Sequence, residues 1–353
     1  MKKITFTLSG VLIIIYFFFF QDYFLEDATI QAKDSSQSYS VLNNRNFVDV
    51  DFKEVSNFEA IGNHLLNPQS ALKPYRSNIL LPDFADMKIK MVDRQGNLVT
   101  EFGNGRGRGP GEFSIILDFT ICKNVLWVVD GINFRVTGFS MENGEEDLIF
   151  NTEYHPARVA CVDDGLIVMQ MGGEYSFNKH DFDGNLIRTF GRLTENQHQK
   201  PLSLDGQLKS LDNGFLFLPQ YASYVYHFDS DGNRLQTFKL PDELNFPDPT
   251  TSTSSEGRMT TAPQPLVTNH DLIYDFEKNY MIVNSWYWGE DRGGQGEAFA
   301  VFDKFDFTTG EYLESIRAPN YMNQVILDNN LLIGFRLNTS EVYSYEVEKS
   351  ALF

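Results

Sequence analysis

The chain has 353 residues and a formal net charge of −19, which excludes the basic surface that a nucleic-acid partner needs. Aromatics at 14%, with 31 Phe and 16 Tyr, exclude a disordered chain and point to a large packed core. Its two cysteines, Cys122 and Cys161, are too few to staple a domain of this size.

In chain order, Lys2 and Lys3 precede an apolar run from Ile4 to Phe20, followed by Gln21 and Asp22. This is the charged n-region and the h-region of an export signal, short for a bilayer span. No A-x-A-like cleavage site follows, which favours an uncleaved signal anchor over a cleaved peptide, and no cysteine follows to carry a lipid. On this reading residues 1–25 are a signal peptide or anchor inserted through residues 4–20. Residues 26–45 are a polar tether, and everything after Tyr23 is exported. The location is then the periplasmic face of the inner membrane, or the periplasm if the signal is removed.

A hairpin signal recurs downstream. Asp93-Arg-Gln-Gly96-Asn97, ending in Phe102-Gly103, returns as Asp181-Phe-Asp-Gly184-Asn185, ending in Phe190-Gly191, and as Asp229-Ser-Asp-Gly232-Asn233, ending in Phe238. Weaker copies surround Gly144 and Gly310. Gly and Asn at such turns tolerate positive φ. A second marker, an apolar run before a polar break, occurs six times: Ile79–Leu81, Leu126–Val128, Leu166–Val168, Phe215–Phe217, Met281–Val283 and Leu331–Ile333. Each leads into another β-type run, giving six four-stranded units of about 40–50 residues, the length of a propeller blade. The fold expected for residues 46–353 is all-β, a six-bladed β-propeller behind an N-terminal hydrophobic segment. The last unit lacks a fourth strand, and the alternating stretch Phe47-Val-Asp-Val-Asp-Phe52 is expected to supply it. Cys122 and Cys161 fall on neighbouring inner strands, expected to diverge beyond the ~7 Å Cα limit for a disulfide, so both thiols read as free.

The residues Gly105-x-Gly-x-Gly-Pro-Gly-Glu-Phe113, followed by Val128-Val-Asp-x-x-Asn-x-Arg-Val136, resemble NHL-type repeats. They are more closely similar to the exported bacterial six-bladed β-propeller family, whose members carry a Gly-Pro-Gly-Glu-aromatic loop after the first blade. The resemblance covers about residues 46 to 350, strongest over 78 to 150. It implies the fold and export, and no general activity. Members of that family are often lipoproteins, and this chain lacks the lipobox cysteine.

Strand parity in a four-stranded meander places the loops between second and third strands, and those between blades, on one rim. The Asp-Gly-Asn hairpins lie on the other. Long variable loops on a rigid scaffold carry binding residues, so the first rim is the expected site face. Arg106, Arg108, Arg135, Tyr221, Trp286, Trp288 and Arg292 are its candidates for holding a protein, peptide or glycan. Against this, Arg135 and Asp130 can pair with each other or with Glu112, the glycine-rich loop can be a simple linker, and Trp286 can be inter-blade packing. Residues 245 to 265 read as a mobile loop. His155, His198 and His270 each precede an inner strand, so parity sends them toward the channel mouth. Some NHL-like propellers, the peptidyl-glycine lyases among them, hold zinc with channel histidines. The alternative reading is therefore a zinc- or calcium-dependent lyase or hydrolase. The three histidines have no motif spacing, and neither a nucleophile elbow nor HExxH is present. A monomeric, non-catalytic binding module without a cofactor is the preferred reading.

Overall fold

The computed structural model describes residues 45–58, 60–61, 64–65, 71–248, 250–254, 257–261, 263, 267–287, 299–328, 330–336, 341–348 and 352. The signal segment and nearly all of the tether lie outside the described residues. Six antiparallel sheets follow one another as blades, each built from the inside outward. Blade one is Lys73–Tyr75, Asn78–Asp83, Lys88–Val92 and Leu98–Phe102; blade two is Ile116–Cys122, Val125–Asp130, Arg135–Ser140 and Glu146–Asn151. Blade three is His155–Val162, Gly165–Met171, Phe177–His180 and Leu186–Phe190; blade four is Gly206–Leu211, Gly214–Pro219, Tyr224–Asp229 and Arg234–Lys239. Blade five is Val267–Asp275, Tyr280–Tyr287, Phe299–Asp306 and Tyr312–Arg317. Blade six has Gln324–Asp328, Leu331–Arg336 and Glu341–Glu346, and takes its outer strand, Lys53–Phe58, from the N-terminal side of the ring. The six apolar runs of the sequence are the six second strands. They are covered on both faces, so every residue of Gly214–Pro219 is buried.

The core sits between blades. Phe177 of blade three packs edge-on to Phe215 and Phe217 of blade four at 5.5 and 5.2 Å between centroids. Such pairs add about 0.5–1.5 kcal/mol each beyond area burial. The recurring hairpin has the same purpose. Asp229 accepts the Asp231 and Asn233 N–H groups (3.0 and 2.8 Å) and the Asn233 side-chain amide (2.9 Å), which closes the turn. Gly232 then sits at φ 80° with its α-carbon against Phe190 of blade three, and a Cβ there would come within 2.5 Å of the ring. Gly184 meets Phe150 of blade two in the same way. The outer-strand Phe of one blade thus receives the turn glycine of the next.

Three expectations are corrected. The latch strand lies later than its alternation suggested: Lys53–Phe58 pairs with Glu341–Glu346, while Phe47–Val48 adds a parallel fifth strand to blade five. Val50 and Phe52 face the seam between these blades, where Phe52 packs on Phe302 and Tyr345, so their alternation reports inter-blade packing rather than a ladder. The stretch read as a mobile loop holds a hairpin, Thr250–Ser254 against Gly257–Thr261. Cys122 and Cys161 are not free: they form a disulfide between the inner strands of blades two and three, with Cα atoms 5.6 Å apart. Inner strands converge on the channel, and that convergence brings the pair within disulfide reach.

Arg45 fixes the first described turn of chain. It is 8% exposed. Its Nε and Nη2 donate to Asp303 (2.9 and 2.7 Å), and its Nη1 and Nη2 donate to Asp242 (2.8 and 2.9 Å). The guanidinium lies 4.8 Å over the Tyr287 ring, and the Tyr287 hydroxyl donates to Asp242.

Candidate functional site

The glycine-rich linker between blades one and two builds one sector of the first rim. Glu112 folds back so that its Oε2 accepts the Gly109 N–H at 2.8 Å. A Cβ on Gly107 would lie 2.0 Å from that carboxylate, which explains the glycine there. Arg135 donates to the carbonyls of Arg108 (3.1 Å), Gly109 (3.2 Å) and Glu112, all on the linker. Beneath it Asp130, fully buried, accepts the N–H groups of Ser114, Ile115 and Asn133 and the Asn133 side-chain amide. Burial pushes the Asp130 carboxyl up, and those donors pull against it. Asp130, Asn133 and Arg135 are therefore the clamp that shapes the linker, and Arg135 is spent on that task.

The other candidates divide. Arg106 and Arg108 are exposed on the linker, with Arg106 donating to the carbonyls of Ser114 and Phe84. Tyr221 is buried at 5% exposure. Trp286 is also buried: it donates from Nε1 to the Met322 carbonyl (3.1 Å) and stacks on His270 at 4.0 Å. Both rings pack within the blades rather than standing out as anchors. Trp288 and Arg292 lie outside the described residues. Two aromatics outside that candidate set, Tyr175 among them placed on this rim by strand parity, do reach solvent. Phe134, at φ 55°, is 41% exposed in the blade-two loop. Tyr175, 38% exposed in the equivalent loop of blade three, lies 5.7 Å under Arg192, which also pairs with Glu174 at 3.4 Å. Phe134, Tyr175, Arg106, Arg108 and Arg192 thus belong to rim loops of the first three blades. Their signal in the sequence was position: each falls in a second-to-third-strand loop or an inter-blade linker.

The three histidines take separate surroundings. His270 is held at Nε2 by the Thr268 hydroxyl (2.8 Å), and burial drives its pKa to about 3. His198 is exposed in the short 3-10 turn Gln197–Gln199. His155 packs edge-on to Phe134 at 5.9 Å, with neither ring nitrogen hydrogen-bonded. Among the described residues, no three His, Cys, Asp or Glu side chains lie grouped as metal ligands would.

His155 is expected to make folding sensitive to acid. Burial lowers its pKa to about 4; Asp205 pulls weakly upward and Arg158 downward. The unfolded chain, with an ordinary value near 6.5, binds the proton more tightly. His155 therefore favours folding fully above about pH 6.5 and loses that contribution as pH falls toward about 4. His155→Phe is expected to flatten the fall in stability over this window by about 1–2 kcal/mol, discounted for partial exposure. Urea titrations of both proteins at pH 7.5 and pH 4.5 measure it; equal losses would refute the assignment.

No protein-family model matches the chain, nor does the sequence of any curated protein. Solved structures do match in fold. A member of the DUF4221 family from Bacteroides vulgatus superposes with a TM-score of 0.57 at 8% identity, over 86% of this chain and 98% of the other. A protein designated as exported from Bacteroides fragilis gives 0.53 at 8% identity, over 85% and 95%. The Cps50 (Swd1) β-propeller domain of Myceliophteria thermophila gives 0.52 at 8% identity, over 84% and 100%. At these identities the likeness shows the propeller fold alone.

Proposed function

We propose that the protein is an exported, membrane-tethered binding module whose first rim holds a protein, peptide or glycan without transforming it. The observation that carries this is the rim itself. Phe134 and Tyr175 stand exposed in the second-to-third-strand loops of blades two and three, exposed Arg106, Arg108 and Arg192 lie on loops of the same rim, and Asp130 and Arg135 clamp the linker between blades one and two. Exposed aromatics and arginines on pre-organised loops are the groups that dominate interface energetics. Export has separate support in the Cys122–Cys161 disulfide, because such bonds persist in oxidising compartments, and in the export signal at residues 4–20. Immobilised full-length protein, presented with a periplasmic extract, is expected to retain a partner. A Phe134→Ala/Tyr175→Ala double variant is expected to lose at least about tenfold of that retention, a hot-spot-sized effect. Leu235→Ala, on an exposed outer strand, serves as the control and is expected to retain it. Equal retention by the double variant would remove the rim as the site.

A further inference from the structure

The two exposed aromatics of the first rim stand on opposite sides of one seam. Phe134 belongs to the second-to-third-strand loop of blade two and Tyr175 to that of blade three. Phe134 reaches across to His155, the first residue of blade three's inner strand, and meets its ring edge-on at 5.9 Å. That ring also packs on Gly131 of blade two, where a Cβ would lie 2.9 Å from it. The Cys122–Cys161 disulfide closes the same seam at its far end. Cys122 is the last residue of blade two's inner strand, and Cys161 is the last but one of blade three's. The strand from His155 to Cys161 spans about 20 Å. One seam therefore carries the rim aromatics at one end and a covalent staple at the other.

Between those ends the seam is held unevenly. Leu117, Val129, Val159 and Val168 form an apolar core there, and Asp118 accepts the Val159 N–H from across it at 3.0 Å. Three other side chains at the seam keep polar atoms without a hydrogen-bond partner. They are Trp127 at Nε1, His155 at both ring nitrogens, and His180 at Nε2, whose ring lies 4.7 Å from Phe150 of blade two. Burying such groups unpaired works against closure of the seam. The next seam, by contrast, is filled by Phe177, Phe215 and Phe217. The staple thus sits where packing between blades is least well matched. It is also within reach. Cys122 is buried, but Cys161 is half-buried, and exposed Lys123, Asn124, Asp163 and Asp164 form the two turns beside the pair.

We propose that the Cys122–Cys161 disulfide is a redox switch for the first rim: its reduction by a protein dithiol loosens this seam, and with it the spacing of Phe134 and Tyr175. The switch rests on the reading of that rim as the binding face. A thiolate of the dithiol attacks the Cys161 Sγ, the more exposed sulfur, and the S–S bond breaks to expel the Cys122 thiolate, which takes up a proton. The second thiol of the reductant then gives up its proton and attacks the mixed disulfide. Cys161 leaves as a thiolate and is protonated, and the reductant departs as a disulfide. Two electrons pass to the protein, and reoxidation restores the staple.

Hydrogen exchange on the full-length protein tests the switch without any ligand. The Val159 N–H crosses this seam to Asp118, and the Val325 N–H crosses the seam between blades five and six to Asp271 at 2.9 Å. Reduction with dithiothreitol at neutral pH is expected to speed exchange at Val159 at least about tenfold and to leave Val325 unchanged. Equal acceleration at both amides, or none at Val159, would overturn the proposal. The second measurement is the amount of protein retained from a periplasmic extract. The reduced form is expected to retain at least about tenfold less than the oxidised form, and the reoxidised form to regain it. The Cys122→Ser/Cys161→Ser variant is expected to match the reduced form and to ignore the reductant. Equal retention by oxidised and reduced forms would sink the switch and leave the binding face standing. No retention by the oxidised form would remove both.

Discussion

Arg45→Ala is expected to cost about 3–5 kcal/mol of stability, the loss typical when one partner of a buried ion pair is removed. The guanidinium is the cation between Asp242 and Asp303, and its side chain and both carboxylates are essentially closed to water. Burial already pushes the Asp303 carboxyl up, while Arg45 and the Ser315 hydroxyl, which donates to it at 2.5 Å, draw it down. Without Arg45 the two carboxylates face each other unscreened. Arg45→Lys is not expected to rescue the fold, because an ammonium has three donors against the four planar hydrogen bonds that Arg45 makes to Asp242 and Asp303, and it does not lie flat over Tyr287. Urea unfolding of the three proteins at neutral pH reads the effect directly. A midpoint for Arg45→Ala within error of the wild type would show that the network is not needed to hold this segment.

The second large effect belongs to the disulfide. Cys122 and Cys161 are 39 residues apart, and closing a loop of that length constrains the unfolded chain by about 4 kcal/mol in the chain-entropy model. The Cys122→Ser/Cys161→Ser variant is expected to lose a comparable amount, and reduction of the wild type should reproduce the loss. Denatured, unreduced protein is expected to show no reactive thiol, and reduced protein two. Two thiols before reduction would restore the expectation of unbridged cysteines.

The fold was legible because its signals are local and repeated. A second strand covered on both faces must be an apolar run, and a turn that packs a glycine against a neighbouring Phe must keep both residues. The details that failed depend on distances between segments remote in sequence. Cys122 and Cys161 read as separate buried thiols because nothing in their spacing reports how closely inner strands converge. Arg45 reads as one cation at the end of a polar stretch, since its carboxylates come from Asp242 and Asp303, about two hundred residues or more along the chain. Trp286 reads alike whether it stands on a rim or lies beneath one; the Met322 carbonyl that claims its N–H is remote in sequence. Phe134 and Tyr175 could be placed on the first rim by parity, but parity carries no information about exposure.

The latch strand has a consequence for how the chain is made. Lys53–Phe58 leaves the ribosome early, while its partner Glu341–Glu346 is among the last segments to follow. Through nearly all of synthesis the growing protein is an open arc with an unsatisfied β-edge at each end, a form prone to pair with other chains. Closure joins residues some 290 positions apart in one step, which places it among slow, high-contact-order events. The interval before the ring shuts is therefore when a holding factor would matter most to the chain.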